Sequence, residues 1–340
     1  MFRVAIVGFG WWGKHIATRL RDSNSIRVVT VVEPVVERHG EIRALSLDVE
    51  QALESALSRA DVDALILTTP NPMHEEQVIA CAAAGKHVFC EKPLGLTAAS
   101  ARRSVAACVR AGVTLGIGHE RRFEPAMKAL SRMVEAGELG TIMHAEAAFS
   151  HDKLIGVPAG DWRTSKAVAP AAGMTAMGVH LTDLYIAMFG RVSTVQAMTS
   201  RRALQWETGD VVTVQLGFEA GMTATLSAVL YTPHFIRMHV FGSARWVEIR
   251  NDTHPDTPGG VAEMIIARTG EPNAVRRFDW TDSVVANLEA FADAARGKAA
   301  YPYTHEQMIH NIEVLEAIAQ SAESRETVRL PAAMPERVAS

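Results

Sequence analysis

The stretch that most narrows what this chain can become is Gly8-Phe9-Gly10-Trp11-Trp12-Gly13. It follows an apolar run, Val4 to Val7, of the kind a strand shows when both faces of its sheet are covered. Three glycines at this spacing serve a tight turn, a close approach of backbone to a pyrophosphate, and packing of the next helix on the sheet, with anionic oxygens at that helix's N-terminus. Ile16 and Leu20 mark the helix's buried side, and the next strand, Ile26 to Val32, ends at Glu33. Glu33 lies 20 residues beyond Gly13, the spacing of an acid that binds the adenosine ribose. The pattern therefore predicts a dinucleotide site built from Gly8, Phe9, Gly10, Trp11, Trp12, Gly13 and Glu33. A carboxylate accepts hydrogen bonds from ribose hydroxyls and repels a 2′-phosphate, so Glu33 favours NAD over NADP, although Arg38 nearby would attract a phosphate.

Strands continue to alternate with helices. Val62 to Thr69 closes on Thr69-Pro70-Asn71-Pro72-Met73-His74, where two prolines stiffen a polar rim at a strand's carboxyl end. A helix from Glu75 to Ala84 stops at Gly85, and Lys86 to Cys90 reads as a buried strand running into Glu91-Lys92-Pro93. Two charges at that end are unusual for a buried strand. In a doubly wound sheet the carboxyl ends open on the nucleotide crevice, so the Lys92 amine is positioned to meet what the cofactor holds. A helix over Thr97 to Ala111 and a short strand over Val113 to Gly118 complete a parallel-sheet domain, residues 1–120.

Beyond Gly118 the pattern changes, giving a second domain over residues 121–340. Pro125 to Ala136 is helical, and from Thr141 the chain is strand-rich. Val212, Val214, Leu216 and Phe218 alternate with polar residues, as do Met222, Ala224, Leu226, Ala228 and Leu230 across the Ala220-Gly221 turn; two further strands, around Ile236–Phe241 and Trp246–Arg250, are joined at Gly242-Ser243. Asp282 caps one closing helix and Thr304 with Gln307 boxes another, while the tail beyond Pro331 is expected to fray.

A formal charge of -4 without any Lys/Arg run leaves no electrostatic footprint for nucleic acid or an anionic membrane, and points to a small-molecule partner. No apolar run reaches the ~18 residues of a membrane span, and the first strand begins almost at Met1. Cys81, Cys90 and Cys108 lie in predicted element interiors without metal spacing, which suits buried thiols in a reducing cytoplasm. His234 and His239 face opposite sides of a strand, and no metal site is expected.

Several motifs in one order resemble the Gfo/Idh/MocA family of oxidoreductases over nearly the whole chain. They are the glycine loop, Thr69-Pro70-Asn71 with His74, Ala84-Gly85-Lys86-His87-Val88 leading to Glu91-Lys92-Pro93, Arg121-Arg122-Phe123, Trp162-Arg163, and Gly178-Val179-His180 with Asp183. The resemblance implies an N-terminal Rossmann domain and a C-terminal α/β domain on an open, mostly antiparallel sheet, through which homodimers or homotetramers form. It also implies NAD(P)-dependent redox chemistry at a secondary alcohol or ketone of a sugar, cyclitol or related ring, with Thr69, Pro70, Asn71, His74, Glu91, Lys92, Trp162 and Arg163 near the cofactor.

Moving a hydride from an alcohol requires that a proton leave its hydroxyl, so a base must reach the oxygen. Lys92 is one candidate, as an ammonium whose pKa a neighbouring cationic nicotinamide would lower; the family pattern further implies a cis Lys92–Pro93 bond. His180 is the other and the favoured proton acceptor, with Lys92 as polariser and Asp183, one helical turn on, orienting the imidazole. Lys92, Arg163 and His180 are the expected substrate contacts, Arg163 through a carboxylate or phosphate or by lying along the nicotinamide; Lys166 and His151 are weaker candidates. One position departs from the family. Many of its dehydrogenases carry an aspartate four residues before this histidine, where this chain has Ala176 in an apolar Ala172–Met177 stretch. That leaves three readings open: a dihydrodiol or other less hydroxylated ring substrate, a histidine served by Asp183, or a non-catalytic NAD(H)-binding regulatory protein.

Overall fold

The computed structural model describes residues 1–158 and 160–332; most of the tail expected to fray lies outside the described residues. The first part of the chain runs β1 (Phe2–Val7), α1 (Trp11–Arg19), β2 (Ile26–Val32), α2 (His39–Ala44), β3 (Asp48–Glu50), α3 (Leu53–Ser58), β4 (Ala64–Leu67), α4 (His74–Ala83), β5 (His87–Cys90), α5 (Ala98–Ala111) and β6 (Leu115–Ile117). All the pairings among these strands are parallel, in the order β3-β2-β1-β4-β5-β6. The order reverses at β1, so the loops leaving β1 and β4 flank the topological switch point where such sheets bind nucleotides.

Local chemistry accounts for the helix ends. Thr97 accepts the Ser100 N–H in a reciprocal capping box at the start of α5, and Gly112 ends that helix at φ +65°. Gly85 does the same beyond α4 at φ +69°.

The chain continues with α6 (Pro125–Glu135), β7 (Ile142–Ser150), α7 (Gly178–Phe189), β8 (Val192–Ser200), β9 (Val211–Phe218), β10 (Thr223–Val229), β11 (Phe235–Gly242), β12 (Trp246–Asn251), β13 (Val261–Ala267), β14 (Ala274–Asp279), α8 (Ser283–Ala295), α9 (His305–Ser324) and β15 (Val328–Arg329). Nine of these strands form one sheet in the order β14-β13-β12-β11-β7-β10-β9-β8-β15, antiparallel except for β7 beside β10. Its inner face is the alternating apolar set of its inner strands, including Leu216, Leu226, Met238 and Ile249, which joins Leu181, Leu184 and Tyr185 of α7 in one core. The fold class is the expected one: a doubly wound parallel sheet and a second α/β domain on an open, mostly antiparallel sheet.

Two compact units emerge. The first comprises Met1–Phe123 and also Asp282–Ile312; the second comprises Glu124–Thr281 and the chain from Glu313 on. The returning segment belongs with the parallel sheet because α8 buries Leu288 and Phe291 there, with the Phe291 ring 6.0 Å from Phe2 and 5.6 Å from Phe89. Gly116 of β6 makes room for this contact, since a Cβ there would lie 2.7 Å from Phe291 and 2.6 Å from Phe89. The three cysteines are buried free thiols, and burial pushes Cys81 and Cys108 up to about 12. Among the described residues no helix is long and apolar enough to cross a membrane.

Candidate active site

The glycine loop has the shape its spacing predicts. Gly8 sits at φ +91°, a region that L side chains rarely adopt. A Cβ on Gly13 would lie 2.1 Å from the Gly8 carbonyl oxygen and 2.8 Å from Thr68 Oγ1, so only glycine lets α1 start this close to β1. Thr68, at the end of β4, donates its hydroxyl toward the Val7 and Gly8 carbonyls and ties the loop to the neighbouring strand. Around Gly10 there is open space for a ligand, with no atom within 4 Å of where a Cβ would stand. This cradle fits a dinucleotide pyrophosphate.

Glu33 is buried beneath the same loop. Its carboxylate accepts the Phe9 N–H at 2.9 Å and the Val35 N–H at 2.9 Å, and Arg38 Nη1 stands 3.2 Å away. The acid thus fixes the loop's first turn, and Arg38 offsets part of its charge. Beyond the loop, Trp11 is exposed and Trp12 half-buried; the Trp12 ring stacks on His15 at 4.9 Å.

The rim after β4 and the loop after β5 are braced together. His74 is fully buried at the start of α4, its Nδ1 2.8 Å from the Pro93 carbonyl and its Nε2 2.9 Å from the Thr69 carbonyl. Burial holds its pKa below the ordinary histidine value, against those carbonyls and with the help of the Lys92 charge. A neutral ring donates to only one of the two carbonyls, so His74 works as a spacer between Thr69 and Pro93. Thr69 Oγ1 donates to Gln77 at 2.6 Å, and Asn71 is buried in the short 3₁₀ turn before α4.

Glu91 continues the sheet, its N–H bonded to the Leu67 carbonyl, with its side chain buried. Its seat exists because residue 118 is glycine. A Cβ there would lie 2.3 Å from Glu91 Oε2 and 2.5 Å from its Cδ. The Lys92 N–H points to the same carboxylate at 3.3 Å, and the Lys92–Pro93 bond is cis, as expected. Lys92 itself is half-buried. The structure thereby gathers Gly8–Gly13, Glu33, Thr69–His74, Glu91 and Lys92 at the carboxyl edge of one parallel sheet.

In the second unit, His180 and Asp183 occupy the first two turns of α7, both buried. The His180 N–H bonds to the Met177 carbonyl and its ring lies 6.0 Å from Phe149 of β7. The approach to α7 is strained: Ala171 and Ala172 both take positive φ, +57° and +51°. Ala176 is half-buried against the core, and Ala172–Met174 are buried. Trp162 and Arg163 lie in a 3₁₀ turn capped by Asp161, with the guanidinium 4.2 Å over the indole. Lys166 pairs with Glu323 at 2.8 Å at the surface. Sequence reasoning missed Thr68, Gly118 and Phe149, whose roles depend on through-space neighbours; a glycine closing a strand at 118 was the one available signal.

A six-stranded parallel sheet with this loop, acid and lysine at one edge, joined to a mixed-sheet domain, defines a nicotinamide-nucleotide oxidoreductase fold. The chain belongs to the GFO/IDH/MocA family. The model described as "Oxidoreductase family, NAD-binding Rossmann fold" matches residues 2–119, and the GFO/IDH/MocA C-terminal domain matches residues 127–248. A 4-carboxy-2-hydroxymuconate-6-semialdehyde dehydrogenase of Sphingobium sp. is 32% identical over 81% of this chain and 89% of its own. A D-apiose dehydrogenase of Paraburkholderia graminis is 30% identical over 66% of this chain and 60% of its own. A 2,7-anhydro-N-acetylneuraminate hydratase of Mediterraneibacter gnavus is 34% identical over 42% of this chain. The chain spans less than two thirds of the last two, covering 38% of the hydratase. Among solved structures, an aldose-aldose oxidoreductase from Caulobacter crescentus superposes with a TM-score of 0.85 at 24% identity, over 97% of this chain and 99% of that one.

Proposed function

We propose that this protein is an NAD(H)-dependent dehydrogenase that interconverts a secondary alcohol and a ketone on a sugar, cyclitol or related ring. The observation that carries the reading is the placement of Lys92 at the same sheet edge as the glycine loop and Glu33. The relatives named as dehydrogenases of apiose and of a carboxylated semialdehyde support it. NAD, when bound, supplies the hydride acceptor. Gly8–Gly13 hold the pyrophosphate, Glu33 the ribose, and Thr69, Pro70, Asn71, His74, Glu91, Trp162 and Arg163 the remaining cofactor surface. Lys92 donates a hydrogen bond to the developing alkoxide, and His180 accepts the hydroxyl proton, oriented by Asp183. Arg163 adds a charged contact to the substrate.

Calorimetry with NADH and NADPH, followed by an absorbance screen of cyclitols, aldoses and ring diols, tests the reading. We expect NADH to bind more tightly, and Lys92→Ala to retain NADH while turnover falls by at least about 100-fold, the scale of lost acid–base and electrostatic assistance. A Lys92→Ala variant as active as the parent would overturn the assignment.

A second reading rests on Ala176 and the buried apolar Ala172–Met174 beside it, which favour a ring bearing fewer hydroxyls, such as a dihydrodiol. Tight NADH binding without turnover, unrescued by Ala176→Asp, would instead favour a cofactor-sensing regulator. We further propose assembly into a homodimer or homotetramer through the open sheet, and a cytoplasmic location, which the buried free thiols suit.

A further inference from the structure

Ala84-Gly85-Lys86-His87-Val88 has no part in the chemistry proposed above, yet Gly85, Lys86 and His87 line a cavity of the first unit. Strands β1, β4 and β5 run parallel, with Val4 beside Ala64 and Ala64 beside His87. Phe2, Asp63 and Lys86 therefore lie at the amino edge of the sheet, opposite the carboxyl edge that carries the glycine loop and Lys92. The cavity there measures about 650 Å³, within the range of small-molecule sites. Phe2, Val62, Asp63, Lys86 and His87 line it together with Arg296, the residue that ends α8.

Its charge balance is positive. Among the described residues Asp63 is the one carboxylate of the lining, and Arg3 neutralises it: the Arg3 N–H and Nε donate to Oδ2 at 2.8 and 3.1 Å, and Nη2 donates to Oδ1 at 2.6 Å. Asp61 and Asp293, close to the lining in sequence, are paired as well, with Arg59 at 2.8 Å and Lys298 at 3.2 Å. The C-terminal ends of α4 and α8 bring partial negative charge to this edge, but the chain caps them. Each closes on a glycine of positive φ, and the Lys86 and Lys298 N–H groups donate to the Cys81 and Asp293 carbonyls at 3.0 and 2.9 Å. Lys86 and Arg296 remain as the net charge of the wall.

The donors are also held in place and only partly used. Lys86 Nζ donates to the Arg59 and Val62 carbonyls at 2.8 and 2.7 Å and keeps a third N–H. Arg296 spends one of its five N–H groups, from Nη2 to the Ser25 carbonyl at 2.6 Å, and its guanidinium stands 5.3 Å over the Phe2 ring. His87 Nδ1 accepts the Thr114 N–H at 3.0 Å, which places the ring proton on Nε2. A guanidinium fork, an ammonium and an imidazole N–H, with the lining's carboxylate already engaged, suit a group that only accepts and carries negative charge on several oxygens. Backbone anchors reduce the freedom these side chains lose when they bind it.

We propose that this cavity is a phosphate site, with Arg296 taking two oxygens and Lys86 and His87 Nε2 the third. Its volume leaves room for a small molecule esterified to that phosphate. The site is separate from the cofactor cradle and does not rest on the dehydrogenase reading.

The test is calorimetry on the full chain saturated with NADH, so that the cradle is filled, using inorganic phosphate, glucose 6-phosphate and adenosine 5′-monophosphate, with glucose and adenosine as uncharged partners. At least one ester should bind about tenfold or more tightly than its uncharged partner, the scale of one charge-assisted contact. Arg296→Met should weaken phosphate binding about tenfold, and so should His87→Asn, which keeps an acceptor for the Thr114 N–H, each with NADH affinity and the melting curve unchanged. Esters binding more tightly than inorganic phosphate would identify the ester as the ligand, and equal binding the free ion; both support the site. Equal binding of phosphorylated and uncharged members in both pairs, or phosphate affinity that both variants leave intact, would overturn it. Phosphate affinity that falls as NADH is raised would place the anion in the glycine loop and overturn it too.

Discussion

Replacing Gly118, itself assigned no chemical role, by alanine should damage the site through its neighbour Glu91. The added methyl would stand 2.3 Å from Glu91 Oε2, 2.6 Å from Oε1 and 2.5 Å from Cδ. An ordinary contact begins near 3.4 Å, so the carboxylate must retreat by about 1 Å in a region packed like a crystal, at a cost of about 1–3 kcal/mol. Glu91 cannot move alone. Its main chain is bonded to β4 through the Leu67 carbonyl, and its carboxylate faces the Lys92 N–H at 3.3 Å. A displacement of about 1 Å at the lysine is enough to cost on the order of 100-fold in turnover. The assay is a double-mutant cycle of Gly118→Ala and Glu91→Ala, read by urea unfolding and by turnover. In the double variant the clash is gone, so the Gly118→Ala penalty should disappear, giving a coupling of about 1–3 kcal/mol. If Gly118→Ala alone is as stable and active as the parent, or if the two effects simply add, Glu91 does not depend on this seat and the reasoning fails.

Two further outcomes are expected. His74 is held neutral by burial, its folded pKa lying below the unfolded value near 6.5. Its stabilising contribution is therefore fully present above about pH 6.5 and is lost as pH falls through the lower folded value; His74→Phe should flatten the urea midpoint over this window while weakening NADH binding, whereas an unchanged pH profile would show that the Thr69–Pro93 brace does not involve His74 titration. Asp210, although buried, is kept below the usual carboxylate range by the N–H groups of Ala203, Leu204 and Arg202, at 2.6, 2.7 and 2.8 Å. Asp210→Asn, whose amide nitrogen cannot accept, should lower stability by about 1–3 kcal/mol at pH 7, with the difference shrinking as pH drops below about 4; equal stability at both pH values would refute it.

Much of the first unit was legible because its signals are local. The run before Gly8, the glycine spacing, Glu33 after β2, and the charges of Glu91-Lys92 at the end of β5 all follow from periodicity and from what a buried strand excludes. The second sheet was only partly legible. Strands β9 to β12 alternate cleanly, whereas β14 escaped because exposed Val275, Arg276 and Arg277 give an edge strand no apolar phase. The destination of α8 was not legible either: Leu288 and Phe291 announce a buried face, not the sheet that buries it.

The residue pattern by itself determined the cofactor cradle and the alternation of strands with helices in the first unit, since each depends on spacing within a few residues, while the cis Lys92–Pro93 bond followed from the family resemblance. Only the tertiary structure decided that Glu33 holds the glycine loop by its Phe9 N–H and that Gly118 is the seat of Glu91. Those are contacts between residues tens of positions apart, and strand order and register alone bring them together.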